Sequence, residues 1–191
     1  MTGDVTDGRR LRSEASRERI IKALLELLNE GDVSPSAEAV AERAGVGLRT
    51  VFRHFDNMES LYQQINGSMR SELVPMLARP FKSADWRGRL DEAVERRIAI
   101  FERVMPLKVA ADVHRHRSAF LETQGRVMIS EQRAALSALV PDSVRDDATL
   151  FEALDLILSF ETWRRLRQDQ SLSRTKARAA VELLVGRLLG S

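Results

Sequence analysis

Residues 36–55 read SAEAVAERAGVGLRTVFRHF and contain two short amphipathic segments joined by a glycine-containing turn. Ser36 is predicted to cap the first helix, which continues to Ala44. Gly45 supplies the unusual backbone conformation that the turn requires. A second helix is predicted over residues 48–55. Two short helices joined in this way, within twenty residues, form the helix-turn-helix plan.

The second predicted helix has a basic outer face. It presents Leu48, Arg49, Phe52 and Arg53 to solvent, and no acidic residue lies between Arg43 and Phe55. A helix with arginines on its exposed face fits the major groove of DNA, where a guanidinium grips guanine O6 and N7 with two hydrogen bonds. The same pattern also fits two helices that only pack against each other.

The remaining sequence predicts an all-α fold, because no segment shows the two-residue alternation of a strand. Asp56 and Glu59 resemble a capping box for a fourth helix, which Pro75 is expected to kink or end. Pro106 is expected to end another helix in the same way. The helices predicted outside the motif and this fourth helix cover approximately residues 16–29, 84–105, 107–117, 118–140, 147–168 and 173–189.

Composition excludes several classes of protein. The chain has 191 residues, 43% of them hydrophobic, and a formal net charge of +2. It has no cysteine, which excludes disulfides and thiolate chemistry. No run approaches the ~18 apolar residues of a membrane span, and the first twelve residues lack the apolar run of a secretory signal. A cytoplasmic location without membrane association is therefore expected.

Residues 44–55, AGVGLRTVFRHF, followed by ESLY at 59–62, resemble the TetR family of bacterial transcriptional regulators. The resemblance implies a three-helix helix-turn-helix DNA-binding domain over residues 13–73, with the motif itself at 36–55. A larger helical ligand-binding and dimerisation domain over residues 74–191 would follow. The implied function is a ligand-responsive repressor that binds a palindromic operator in double-stranded DNA as a homodimer, and that a small molecule releases.

The resemblance also assigns roles within the motif. Thr50 and His54 match residues that contact the DNA backbone, while Leu48, Arg49 and Arg53 occupy the base-facing positions. Ser36 and Ala37 begin the helix that abuts the backbone. The candidate DNA-binding residues are thus Ser36, Ala37, Leu48, Arg49, Thr50, Phe52, Arg53 and His54.

Three positions depart from the family pattern. Gly47 replaces a serine cap, Phe52 replaces a tyrosine whose hydroxyl touches phosphate, and Met58 replaces a lysine that reaches phosphate. The polar segment 1–15 is predicted to be a flexible basic arm, whose arginines at positions 9, 10 and 12 would compensate for the two lost phosphate contacts. A solvated tail is the alternative for this segment.

The second half of the chain carries weaker signals. The segment 150–160 is apolar on nearly every side and requires a partner to cover it, which agrees with dimerisation through the last two helices. The resemblance implies that the middle helices enclose an effector pocket. Large apolar side chains in this part of the chain would suit an apolar or aromatic effector, although each of them also fits an ordinary core. The candidate lining residues are Phe101, Met105, Phe120, Met128, Phe151 and Phe160.

No residue set indicates catalysis, a cofactor or a metal site. Asp112 and His116 share a helical face, but His114 points about 200° away in a helix of 3.6 residues per turn, so the three side chains do not converge. Arg96 and Arg97 are expected to form a solvated stretch. The alternative is that Arg97, which lies within four residues of Phe101 and Val94, extends into a cavity. An enzyme, or a helical adaptor that does not bind DNA, remains the alternative function.

Overall fold

The computed structural model describes residues 4–190, and over that range every regular element is a helix. The all-α prediction is therefore confirmed. A 3₁₀ turn at Arg115–Arg117 and a π-helical turn at Arg165–Asp169 supplement ten α-helices in the described range. These helices are α1 (Asp4–Asn29), α2 (Ala37–Ala44), α3 (Leu48–His54), α4 (Met58–Leu77), α5 (Trp86–His114), α6 (Ala119–Leu139), α7 (Asp142–Arg145), α8 (Ala148–Ile157), α9 (Phe160–Arg164) and α10 (Arg174–Leu188).

The chain divides into two compact units. The first extends through Glu72 and also includes Pro106–Glu122, whereas the second comprises Leu73–Met105 and the chain from Thr123 onward. The sequence prediction assigned residues 106–122 to the C-terminal domain, but they belong to the first unit. Their contribution is apolar, because Leu107 and Ala110 are buried in the first unit's core. Helices α4, α5 and α6 each pass from one unit into the other along the chain.

The core of the first unit is built from residues at helical spacing. On α1, Ile20, Leu24 and Leu28 recur every four residues and are at most 4% exposed. Such a stripe buries one face of a helix and leaves the other in water. Ala23 on α1 also belongs to this core. Four other helices and Phe55 contribute the rest, which comprises Val40, Ala41, Ala44, Val51, Phe55, Leu61, Tyr62, Ile65, Leu107 and Ala110.

Helix α1 is longer than predicted. The first fifteen residues were expected to form a flexible arm, but the helix begins at Asp4. Residues 1–3 of the predicted arm lie outside the described residues. Ion pairs between residues four apart support the exposed first turns, as between Arg10 and Glu14, whose side-chain atoms lie 3.6 Å apart.

Neither Pro75, which was predicted to kink or end its helix, nor Pro106, which was predicted to end one, terminates a helix. Helix α4 continues through Pro75 to Leu77, and α5 continues through Pro106 for a total of 29 residues. A proline inside a helix removes one hydrogen bond and costs about 3 kcal/mol. Buried residues on both sides of the α5 proline, such as Phe101 and Leu107, offset this cost.

Two other boundaries also differ from the prediction. The segment predicted as one helix over 147–168 is interrupted after Ile157, and Ser159 caps a new helix by accepting a hydrogen bond from the Thr162 amide at 3.1 Å. The capping box of α4 is formed by Asn57 and Ser60 rather than by Asp56 and Glu59. Asn57 Oδ1 accepts from the Ser60 amide at 2.9 Å, and Ser60 Oγ lies 3.4 Å from the Asn57 amide.

The second unit has its own core. Phe101 on α5 and Phe160 on α9 meet edge to face, with their ring centroids 5.6 Å apart. Trp163, also on α9, is 2% exposed and donates its Nε1 hydrogen to Glu102 Oε1 at 2.9 Å. Large aromatic side chains thus fill the space between α5 and α9. None of the helices within residues 4–190 is both long and apolar enough to cross a bilayer.

Candidate DNA-binding surface

The helix-turn-helix is held by specific backbone and side-chain contacts. Ser36 Oγ accepts from the Ala39 amide at 3.2 Å, which confirms the predicted cap of α2. Gly45 ends α2 with φ of +63°, a conformation that side chains with a Cβ rarely adopt. Its amide and that of Val46 bond back to the last turn of α2, and the Val46 amide reaches the Ala41 carbonyl at 3.0 Å. The turn therefore fixes where α3 begins.

Helix α3 is anchored on one face and open on the other. Val51 is 1% exposed and Phe55, just after the helix, is 4% exposed. Outside this anchored face, Phe52 is 48% exposed and Leu48 is 37% exposed. Two apolar side chains left this accessible on a seven-residue helix indicate a contact surface rather than a packed face.

The two arginines of α3 differ in their ion pairing from Arg43, which precedes the helix. Arg43 on α2 donates two hydrogen bonds of 2.7 Å to the carboxylate of Glu30, and these bonds hold the pKa of that carboxyl below its usual value. Arg49 and Arg53 are exposed and form no ion pair with any residue in the described range. The α3 arginines are therefore available to an external anion, and Arg43 is engaged.

The start of α3 has no side-chain cap. Gly47 occupies the cap position with extended backbone and no side chain that accepts a hydrogen bond. The Thr50 amide reaches back to the Gly47 carbonyl at 2.7 Å, and the Thr50 side chain is partly exposed. A hydroxyl group near the N-terminal end of a helix fits a contact with a phosphate oxygen.

His54 is the partly buried member of the predicted set. Its Nε2 is buried and has no hydrogen-bond partner within the described residues. Burial lowers the pKa of His54 below 6.5, and the positive charges of Arg53 and Arg17 lower it further. His54 is therefore neutral at neutral pH.

Ser36 and Ala37, the two candidate DNA-binding residues at the start of α2, differ in how far their side chains are exposed. Ser36 is exposed, but its hydroxyl is already used as the helix cap. Ala37 is only 8% exposed, so its methyl group faces the core and does not form part of an outer surface. At position 37 the apolar face of α2 turns inward, which leaves the backbone of Ala37 rather than its side chain for an outside contact.

Next to His54 lies a polar groove that the sequence analysis missed. It is open, measures about 670 Å³ and runs between residues of α1 and α4. Arg17 crosses it: one guanidinium nitrogen lies 2.5 Å from Gln64 Oε1, and the guanidinium carbon lies 5.6 Å from the centre of the Phe55 ring. The basic cluster around Arg17 was the only sequence signal for this groove. The remaining lining residues are His54, Asp56, Ser60, Gln63, Gly67, Ser68 and Ser71.

Met58, where the family pattern has a lysine, begins α4. Its side chain is partly buried and packs against the first unit's core. Position 58 therefore contributes apolar packing and no positive charge. Arg10 and Arg12 were predicted to lie in a flexible basic arm. They are exposed, but they lie on the first turns of helix α1.

The predicted effector-site residues do not line one cavity. Phe101 lines a small cavity of about 10 Å³ in the second unit, and the other five predicted residues are not among those that line it. Met105, Phe120 and Met128 are partly buried, and Phe151 is covered by Arg133, whose guanidinium carbon lies 5.3 Å from the ring centre. Phe160 instead packs against Phe101 in the core.

The histidines near the end of α5 have other partners. His114 Nε2 lies 3.2 Å from Ser34 Oγ, and His116 is exposed. Asp112 pairs with Lys108, with Nζ 3.1 Å from Oδ1. Across the described part of the chain, no group of three potential ligand side chains is placed to hold a metal ion.

Comparison with known proteins places the site in a family. Residues 20–65 match the family described as "Bacterial regulatory proteins, tetR family". That range contains the whole of α2 and α3 and most of the first unit's core. No curated protein matches the chain.

Two solved structures share the fold over nearly the whole chain. A transcriptional regulator from Rhodococcus sp. Rha1 superposes with a TM-score of 0.72 at 20% identity, over 91% of this chain and 96% of that one. A putative transcriptional regulator from Streptomyces coelicolor A3(2) gives a TM-score of 0.57 at 22% identity, over 91% and 97% respectively. Residues 20–65 are thus similar to the N-terminal part of the TetR family, and the chain shares its all-helical fold with these two proteins.

Proposed function

We propose that the protein is a transcriptional repressor that binds a palindromic DNA operator as a homodimer and is released by a small molecule. The observation that carries this proposal is helix α3, whose outer face combines exposed Leu48 and Phe52 with the unpaired Arg49 and Arg53. A short helix of this kind, oriented by a rigid turn, fits the major groove.

The roles within the surface follow from exposure. Arg49 and Arg53 read base edges or grip flanking phosphates, and Thr50 contacts phosphate at the start of the helix. Ser36 and the backbone amide of Ala37 lie at the start of α2, where they abut the DNA backbone. Neutral His54 contributes a hydrogen bond and no charge at neutral pH.

A homodimer is supported by apolar side chains on the last helices. Leu156 on α8 is 65% exposed, and Leu183 and Leu184 on α10 are 61% and 46% exposed. Helices α8 and α10 pack against each other within the second unit, so their outer faces together offer one apolar surface. A second copy would cover it, and the resulting two-fold symmetry would match a palindromic operator.

Regulation by a small molecule requires that effector and operator binding oppose each other. If the effector favours a conformation that binds the operator less well, it lowers the affinity for the operator by some factor. A bound operator then lowers the affinity for the effector by that same factor. A coupling of about 1.4 kcal/mol changes the affinity tenfold. The second unit is the proposed effector-binding part, and α4 and α5 connect it along the chain to the first.

Selection of genomic DNA tests the proposal. Fragments retained by the purified protein at ~150 mM salt, where non-specific phosphate binding is weak, are sequenced. An enriched palindrome is the expected result. Retention without a motif, or no retention by either the wild type or the Met58→Lys variant, would contradict the proposal.

A further inference from the structure

The second unit contains a partly buried arginine without a counter-ion. Arg97 lies on α5 among residues of the second unit's core, and no carboxylate in the described range lies within ion-pairing distance of it. Asp155 exerts the nearest opposing charge, but Asp155 Oδ2 is paired with Arg133 at 2.7 Å. Desolvation therefore lowers the pKa of Arg97, although the guanidinium stays charged at neutral pH.

Backbone carbonyls accept hydrogen bonds from some of the N–H donors of Arg97. Arg97 donates to the Leu158 carbonyl at 3.2 Å and to the Gln132 carbonyl at 2.7 Å. A guanidinium has five N–H donors, and these two bonds use one hydrogen on each of its two terminal nitrogens. Carbonyl groups carry only partial negative charge, and a withdrawn cation without a full counter-charge is destabilising.

The Leu158 carbonyl lies at the interruption between α8 and α9. Leu158 ends α8, and Ser159 starts the next helix as its cap. The C-terminal end of a helix carries partial negative charge, so Arg97 is attracted there in the absence of a better acceptor. An anion that captured Arg97 would release this carbonyl.

A small cavity lies directly against Arg97. Its volume of about 10 Å³ is enough for one water molecule. Apart from Arg97 and Ser159, the lining is apolar and aromatic. The lining comprises Val94, Arg97, Ile98, Phe101, Ile157, Leu158, Ser159, Trp163 and Val181.

We propose that the effector of this regulator is an organic monoanion, a carboxylate on an apolar body, whose carboxylate pairs with Arg97 and whose body enlarges the adjoining cavity between Phe101 and Trp163. One negative charge neutralises the guanidinium of Arg97, and a carboxylate accepts two parallel hydrogen bonds from a guanidinium. This inference rests on the proposed function in that it assigns the effector of the same regulator.

The test compares acids with their neutral amides. Benzoate, phenylacetate and hexanoate, and the corresponding amides, are titrated into the full-length protein without DNA. Calorimetry measures the affinity, and Trp163 fluorescence in a Trp86→Phe background reports occupancy of the cavity. We expect at least one acid to bind saturably and its amide to bind about tenfold or more weakly.

Variants of two neighbouring arginines localise the effect. Arg97→Met should reduce the affinity for the acid to that of the amide, and Arg97→Lys should restore part of it. Arg96→Met is the matched control, because Arg96 on the same helix is paired with Glu92, with nitrogen and oxygen 3.5 Å apart, and also donates to the Pro80 carbonyl. It should bind the acid like the wild type.

Several outcomes would overturn the inference. These are equal binding of acid and amide by the wild type, full acid affinity in Arg97→Met, or no saturable binding of any of the three acids at millimolar concentration. The first comparison needs no variant, so it holds even if Arg97→Met does not fold. An operator found by DNA selection together with no acid binding would refute this inference alone, whereas Arg97-dependent acid binding without an operator would refute the proposed function alone.

Discussion

Ser118 Oγ donates a hydrogen bond of 2.7 Å to Glu59 Oε1 and links the start of α6 to the first turn of α4. Ser118 is 7% exposed, and the same hydroxyl oxygen accepts from the Leu121 amide at 3.2 Å. One buried hydroxyl thus caps α6 and holds α4, the helix that follows the helix-turn-helix. Glu59, predicted as a capping partner for its own helix, serves this longer-range contact instead.

Replacing Ser118 should destabilise the protein. Ser118→Ala removes a helix cap and a buried hydrogen bond to a carboxylate, and should lower the free energy of unfolding by about 1–2 kcal/mol. Urea denaturation measures the difference. Ser130→Ala, at an exposed position of the same helix, is the control and should unfold like the wild type. Equal midpoints for all three proteins would refute the role of Ser118.

Loss of either α3 arginine should weaken operator binding. Arg49→Ala and Arg53→Ala should each cost about 1–3 kcal/mol if the side chain reads a base, with specificity relaxed at one operator position. A phosphate contact would instead give a loss that is uniform across sequences. Fluorescence anisotropy with single-base operator variants separates the two cases. Lys176→Ala, which removes one charge from exposed α10, should bind normally.

Restoring a lysine at position 58 should strengthen DNA binding. Met58→Lys places a cation at the start of α4, where one more neutralised phosphate makes the log–log salt dependence steeper by about one unit. Binding isotherms at several salt concentrations give the slope. Met58→Gln, which is polar but uncharged, should leave it unchanged. A lysine variant with the wild-type slope would show that position 58 does not reach phosphate.

His54 should make the folded protein sensitive to acid. Because burial holds the pKa of His54 below 6.5 in the folded state, the unfolded chain binds a proton more readily. This contribution to stability is present above about pH 6.5 and is lost as the pH falls through the folded-state pKa. The urea midpoint of the wild type should therefore fall more between about pH 7.5 and 5.5 than that of His54→Gln. Parallel curves would contradict the assignment.

Disruption of the apolar face on α10 should separate the dimer. Leu183→Arg places a charge in the proposed interface and should raise the dimer dissociation constant by about 100-fold, because a buried unpaired charge is strongly unfavourable. Light scattering after size exclusion gives the mass. Leu77→Arg is a matched control, since Leu77 is 60% exposed and Leu183 is 61% exposed. Identical masses for both variants would exclude α10 from the interface.

The helix-turn-helix could be predicted closely because its signals are local. Ser36 caps a helix through its own neighbours, and Gly45 has the positive φ that its turn requires. The small size of Ala41 and Ala44 likewise determines how closely α2 can pack, whatever the rest of the chain does. Residues 36–55 therefore carry nearly all the information needed for their own structure.

The second half was predicted less well because its boundaries depend on tertiary packing. Proline at 106 is a local stop signal, but the buried residues around it stabilise a continuous helix. The interruption at Ser159 was hidden by the apolar run on both sides of it, although serine is a preferred helix-capping residue. The partners of Arg97 come from helices far along the chain, and no spacing in the sequence reveals them.

Helices α4, α5 and α6, which each extend from one unit into the other, carry a proline or a glycine close to the unit boundary. Pro75 lies three residues past Glu72 in α4, Pro106 is the first residue of its unit in α5, and Gly125 lies three residues past Glu122 in α6. A missing backbone hydrogen bond or a missing side chain lowers the bending stiffness of a helix locally. The residues least suited to a helix interior therefore stand close to the three positions where the chain leaves one folded unit for the other.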